Sequence, residues 1–133
     1  MWKYEELMCK HEYLNFEELD NFPSFQDGYI NGSNIYINKN LTPQKKHEII
    51  GEEIAHFNVN DGDILDQSKS INRKFEGYAR RHSYEMLIPI EELKKITYDG
   101  IQIHEIAQHF EVTEDFVKKA LRYYEKTDKM NNF

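Results

Sequence analysis

The stretch from Thr42 to Phe57 constrains the fold more than any other part of the chain. Thr42 can cap a helix, and Pro43 suits the first helical position, where a backbone N–H has no partner in any case. The pattern predicts a helix from Pro43 to about Phe57. At about 100° per residue, Ile50, Ile54 and Phe57 form one side. Glu52 and His56, four residues apart, share another face, one turn above each other. Glu53 lies about 100° round from Glu52. Gly51 and Ala55 leave a shallow groove where a neighbouring element can pack closely. Such a helix needs a core against its isoleucines and an opening beside its carboxylates.

The remaining elements follow from local signals. Tyr4 to Glu18 reads as a first helix, with Leu7, Met8 and Leu14 near helical spacing. Gly28 to Asn38 reads as a β-hairpin: two β-prone runs flank Asn31-Gly32, a pair suited to a type I′ turn. Asn58 to Ser68 is turn-rich. A second long helix is predicted from about Ile71 to Met86, stopped by Pro89, then a short one from Glu91 to Ile96. Ile103, Ile106, Ala107 and Phe110 mark another helix at i, i+3, i+4, i+7. Thr113 caps a last one carrying Phe116, Val117, Ala120, Leu121 and Tyr124. This final pair resembles a helix-turn-helix, with Glu111 at the turn position that favours glycine.

Composition narrows the function. A single cysteine, Cys9, excludes an intramolecular disulfide and a cysteine-rich zinc ribbon. No apolar run of about 18 residues can span a membrane. The first six residues show no signal-peptide pattern, so a reducing cytoplasm is expected. The net charge of −7 argues against a protein whose main task is gripping phosphate backbones. From Ile101 onward, Lys118, Lys119, Arg122, Lys126 and Lys129 face Glu105, Glu111, Glu114, Asp115, Glu125 and Asp128, a net of −1. Direct nucleic-acid binding is therefore not expected, and the helical pair reads as a packing or protein-docking unit.

Glu52-Glu53-Ile54-Ala55-His56 has the form of the zinc-peptidase HExxH helix with Glu in the first place. Glu52 and His56 can reach one metal ion, while Glu53 can touch a water beside it. The pattern by itself is weak, since a Glu–His pair at i, i+4 is also an ordinary surface feature. Candidates for a third ligand lie on the next helix at Glu76, His82 and Glu85.

The order of motifs is more specific. A β-hairpin precedes Glu-Glu-Ile-Ala-His. Then come Gly62-Asp63-Ile64-Leu65-Asp66-Gln67-Ser68, Asn72-Arg73-Lys74-Phe75-Glu76-x-x-Ala79-Arg80, and Leu87-Ile88-Pro89. Over nearly its whole length the chain resembles the ImmA/IrrE family of metallo-endopeptidases, in the short form found in phages and mobile elements. The resemblance implies one α+β domain, a minimal zincin-like scaffold with a small sheet packed on the active-site helix. Residues 1–97 would form the catalytic scaffold and 101–127 the C-terminal helical pair. It also implies metal ligands at Glu52, His56 and Glu76, catalysis by Glu53, and zinc as the metal.

Glu52 departs from the family pattern. Two carboxylates and a neutral imidazole bring a divalent site to zero net charge, where His-His-Glu leaves +1. Such a site acidifies a bound water less, and its harder donors favour Mn²⁺ or another hard ion over Zn²⁺. Asp63 and Asp66 read as loop or cap residues, or as partners that orient His56. His82 lies about 240° round from Glu76, so it reads as a partly buried packing histidine or a donor to a substrate carbonyl. Arg73 and Arg80 either pair with the site carboxylates or solvate their helix. His11, His47, His104 and His109 are expected on helix surfaces, and Cys9 as a small apolar residue. Tyr29 and Tyr36 are expected to pack on the hairpin. By resemblance, the substrate is a phage or mobile-element repressor with its own helix-turn-helix, cut to relieve repression. The alternative is a non-catalytic antirepressor that keeps the scaffold.

Overall fold

Ile35 and Ile37 are fully buried and belong to the central strand of a three-stranded sheet. The computed structural model describes residues 1–23, 26–60 and 69–127, with backbone alone at 59, 60 and 69–76. Within these residues the order is α1 (Lys3–Lys10), β1 (Asn15–Leu19), β2 (Gly28–Asn31), β3 (Asn34–Asn38), α2 (Pro43–Asn60), α3 (Lys69–Leu87), α4 (Ile90–Ile96), α5 (Ile103–Phe110) and α6 (Glu114–Lys126). The architecture is α+β, as expected.

The hairpin β2–β3 forms, with Tyr29 opposite Tyr36 and their rings stacked at 4.8 Å. Its turn differs from the expected one. Asn31 pairs with Asn34, so Gly32 and Ser33 are the central residues, and Gly32 alone has positive φ, +64°. That is the requirement of a type II′ turn, with glycine first, rather than of type I′.

A single helix over Tyr4 to Glu18 is not what forms. The backbone leaves the helical region at His11, φ −118° and ψ 55°. Asn15 to Leu19 then pairs in parallel with Asn34 to Asn38, giving the order β1-β3-β2. Leu14 is buried, but in the turn between the two elements. The helix formers Glu17 and Glu18 yield to the open edge of β3, which offers a complete ladder of backbone partners.

Ile50 and Ile54 are fully buried in the core. Burying each is worth about 1.5–3 kcal/mol, against a few tenths for a surface Glu–His pair. The apolar side of α2 therefore sets its orientation, and the Glu52 side is turned outward. Gly51 is in close contact with α3: a Cβ there would stand 2.9 Å from Leu87 Cδ1. The expected groove is thus filled by Leu87.

The α5–α6 pair packs into the same core through Phe110, Val117, Ala120 and Tyr124. Thr113 caps α6 by accepting from the Phe116 N–H at 3.2 Å. Glu111 adopts the left-handed conformation, φ 55° and ψ 53°, which costs a non-glycine residue about 1–2 kcal/mol. Three bonds offset it. The Glu111 carboxylate accepts from the Lys3 N–H at 2.9 Å. Its carbonyl accepts from His47 Nδ1–H at 3.0 Å. Beside it, Glu48 accepts from the Thr113 N–H at 2.6 Å.

His47 is therefore not a surface residue: it is 4% exposed, and burial lowers its pKa. Cys9, expected in an apolar setting, is exposed on α1. Among the described residues, no helix is long and apolar enough to cross a membrane.

Candidate metal centre

Glu52, Glu53 and His56 project from α2 into one cleft of about 550 Å³. The far wall is Gln26, Asp27, Gly28, Tyr29 and Ile30, the start of β2. The strand comes this close because Gly28 has no side chain. A Cβ there would lie 2.5 Å from Ile49 Cγ2, 3.2 Å from the Tyr36 carbonyl and 3.7 Å from Glu53 Oε2. Gly28 and Asp27 were not singled out from the sequence; a glycine opening a β-prone run is the signal that could have marked a close backbone approach.

β2 is an edge strand. The Asn38 N–H bonds the Asp27 carbonyl at 2.9 Å, which fixes the alternation of the ladder. Gly28 and Ile30 then turn their N–H and C=O groups away from β3. The Gly28 carbonyl already accepts from Gln26 Nε2 at 3.3 Å.

The cleft suits a cation. Its described lining holds three carboxylates, Asp27, Glu52 and Glu53, with one imidazole and no Lys or Arg. Glu52 and His56 would supply one oxygen and one nitrogen donor from adjacent turns of α2. Among the described residues, no three potential ligands stand close enough together to hold one ion. The third expected ligand, Glu76, lies on α3, and its side chain is outside the described residues. Glu48 and Glu52 share a small cleft with Arg80, Ser83 and Tyr84 of α3.

The other expectations divide. Asp63 and Asp66 lie outside the described residues, as does the Arg73 side chain. His82 is exposed on α3, not partly buried. Arg80 is exposed and lines the small cleft with Glu52. Tyr29 and Tyr36 pack on the hairpin as expected, and Tyr29 also borders the site.

A small sheet lying against a helix with Glu-Glu-x-x-His defines a metallopeptidase-like scaffold. The family model of the M78 peptidases, the IrrE N-terminal-like domain, matches residues 9–122, and the chain belongs to that family. A Mycobacterium tuberculosis transcriptional regulator has a similar fold, with a TM-score of 0.62 at 18% identity. The match covers 86% of this chain and 46% of that one, so the chain spans less than half of the regulator's length. No curated protein sequence matches it. The family implies a divalent metal, typically zinc.

Proposed function

We propose that the protein is a metal-dependent endopeptidase acting on a regulator protein, a phage-type or mobile-element repressor. The observation that carries this reading is the single cleft shared by Glu52, Glu53, His56 and the outer edge of β2. Glu52, His56 and Glu76 would hold the metal, which when bound polarises the scissile carbonyl and the attacking water. The Gly28 and Ile30 backbone groups align an extended substrate segment along the edge. Glu53 takes the proton from the attacking water and delivers it to the leaving amine nitrogen. Ile50 and Ile54, locked in the core, keep the three side chains at a constant height above the strand. The test is incubation of the protein with a purified phage-type helix-turn-helix repressor, alongside Glu53→Gln. Loss of the fragments in the variant is expected; identical fragments from both would remove Glu53 as the base.

A second reading rests on Glu52, which stands where the peptidase pattern has His. A scaffold with a weakened centre can act as a non-catalytic antirepressor that binds the same partner. Derepression that survives both Glu53→Gln and His56→Ala would favour it.

A further inference from the structure

Glu52 stands on the boundary between two clefts. On one side it lines the candidate metal centre with Glu53 and His56. On the other it lines a smaller hollow of about 90 Å³ between α2, α3 and α6. The described residues bordering that hollow include three carboxylates, Glu48, Glu52 and Asp115, and three cations, Lys45, Arg80 and Lys119.

Two of each sign are matched. Lys45 stands 3.5 Å from one oxygen of Glu48, and the other oxygen accepts from the Thr113 N–H. Lys119 stands 3.1 Å from Asp115. Glu52 and Arg80 remain, and among the described residues neither has an ion-pair partner. Ser83, between them on the cleft wall, gives its hydroxyl proton to the Arg80 carbonyl at 2.6 Å and has none left for Glu52. Both charges reach the Tyr84 hydroxyl: burial is the main cause that raises its pKa, while Arg80 lowers it and Glu52 raises it. Arg80 is exposed, so its guanidinium can turn toward Glu52 without breaking another ion pair.

We propose that Arg80 is a positioning residue for Glu52: it draws the carboxylate toward α3 when no metal is bound, and competes with the metal for it. The proposal rests on the reading of Glu52 as a metal ligand. A guanidinium fork matches both oxygens of a carboxylate, so a cation arriving from the other cleft must displace it or share the group. Solvent screens an exposed pair, which limits the competition to a few-fold in affinity. In the metal-free protein the same pairing offsets part of the repulsion that Glu52 meets from Glu53 and Asp27 across the cleft.

The experiment is chelator-competition titration of the full chain with Zn²⁺ and Mn²⁺, together with melting in EDTA. Arg80→Gln is expected to bind both metals about two- to fivefold tighter and to melt slightly lower in EDTA. Arg80→Lys, which keeps the charge and loses the fork, should lie between it and the wild type. In a Glu52→His background Arg80→Gln should lose most of its effect, because a neutral imidazole offers the guanidinium no anion. A merely structural role for Arg80 would weaken metal binding along with folding, whatever stands at position 52. Weaker or unchanged metal binding by folded Arg80→Gln overturns the proposal, as does an equal gain in both backgrounds. Glu52→Gln separates the two readings. Unchanged metal affinity there removes Glu52 as a ligand and the proposal with it, whereas a loss there without a gain in Arg80→Gln removes the proposal alone.

Discussion

Leu87 of α3 lies so close to Gly51 of α2 that a Cβ on the glycine would stand 2.9–3.0 Å from three of its side-chain carbons. The contact falls beside Glu52 and holds α2 and α3 together near the proposed centre. Gly51→Ala should therefore destabilise the protein. Overpacking costs about 1–3 kcal/mol, while alanine returns about 1 kcal/mol of helix propensity. A net loss of about 1 kcal/mol is expected in urea denaturation, smaller when Leu87 is also Ala. A more stable Gly51→Ala would show that α3 does not pack there.

Gly28→Ala should act on the site more than on stability. The new methyl meets Ile49 Cγ2 at 2.5 Å and the Tyr36 carbonyl at 3.2 Å, so β2 must move off α2. Peptide cleavage should fall at least about tenfold, the effect of a misplacement on the ångström scale. Adding Ile49→Ala should restore part of it. Full activity in the single variant would place the substrate elsewhere.

His47 gives stability a pH dependence with a definite sign. Burial lowers its pKa in the folded state from the ordinary 6.5. Between the lowered and the ordinary value the unfolded chain binds more protons, so stability falls as pH drops below about 6.5. Melting temperatures of wild type and His47→Asn across pH 5–8 test this. The amide of Asn can keep the bond to the Glu111 carbonyl, so the variant should lose this component of the slope. Parallel curves would mean that His47 does not contribute it.

Glu52 should make zinc binding weaker than in an HExxH relative and bring Mn²⁺ into competition. Glu52→His is expected to tighten Zn²⁺ by at least about tenfold, or 1.4 kcal/mol, in a chelator competition assay. Tight stoichiometric zinc in the wild type would contradict the charge argument.

Tyr124 is fully buried, and its hydroxyl donates to the Ile88 carbonyl at 2.6 Å. Tyr124→Phe leaves that carbonyl without its donor and should cost about 1–3 kcal/mol, with Glu52, Glu53 and His56 untouched. Denaturation should register the loss while metal affinity stays unchanged.

Local signals were legible wherever an element's own residues decide its form. Thr42-Pro43 and the isoleucine stripe define α2 and which side of it is left outward. Gly51 announced the close contact, Thr113 the cap of α6, and Glu52 with His56 the shared face. None of these needs a distant partner. The candidate site was half legible for the same reason: its α2 side is a helix pattern, whereas its β2 wall exists because Gly28 lets a strand approach Ile49.

What tertiary structure decided are the choices that depend on remote chain. Asn15 to Leu19 carries helix formers, yet becomes a strand because β3, 19 residues further on, offers an unpaired edge. His47 resembles any polar helix residue until the α5–α6 turn, 64 positions away, places the Glu111 carbonyl over it. Lys119, Arg122 and Lys126 share a face of α6 by their spacing, but Arg80 and Arg81 join them only because α3 packs there. The sequence by itself determined the periodic faces and the caps, because these arise within a few residues. Strand partners, buried polar groups and the sign of a local field were left to the fold, because each is a property of which surfaces meet.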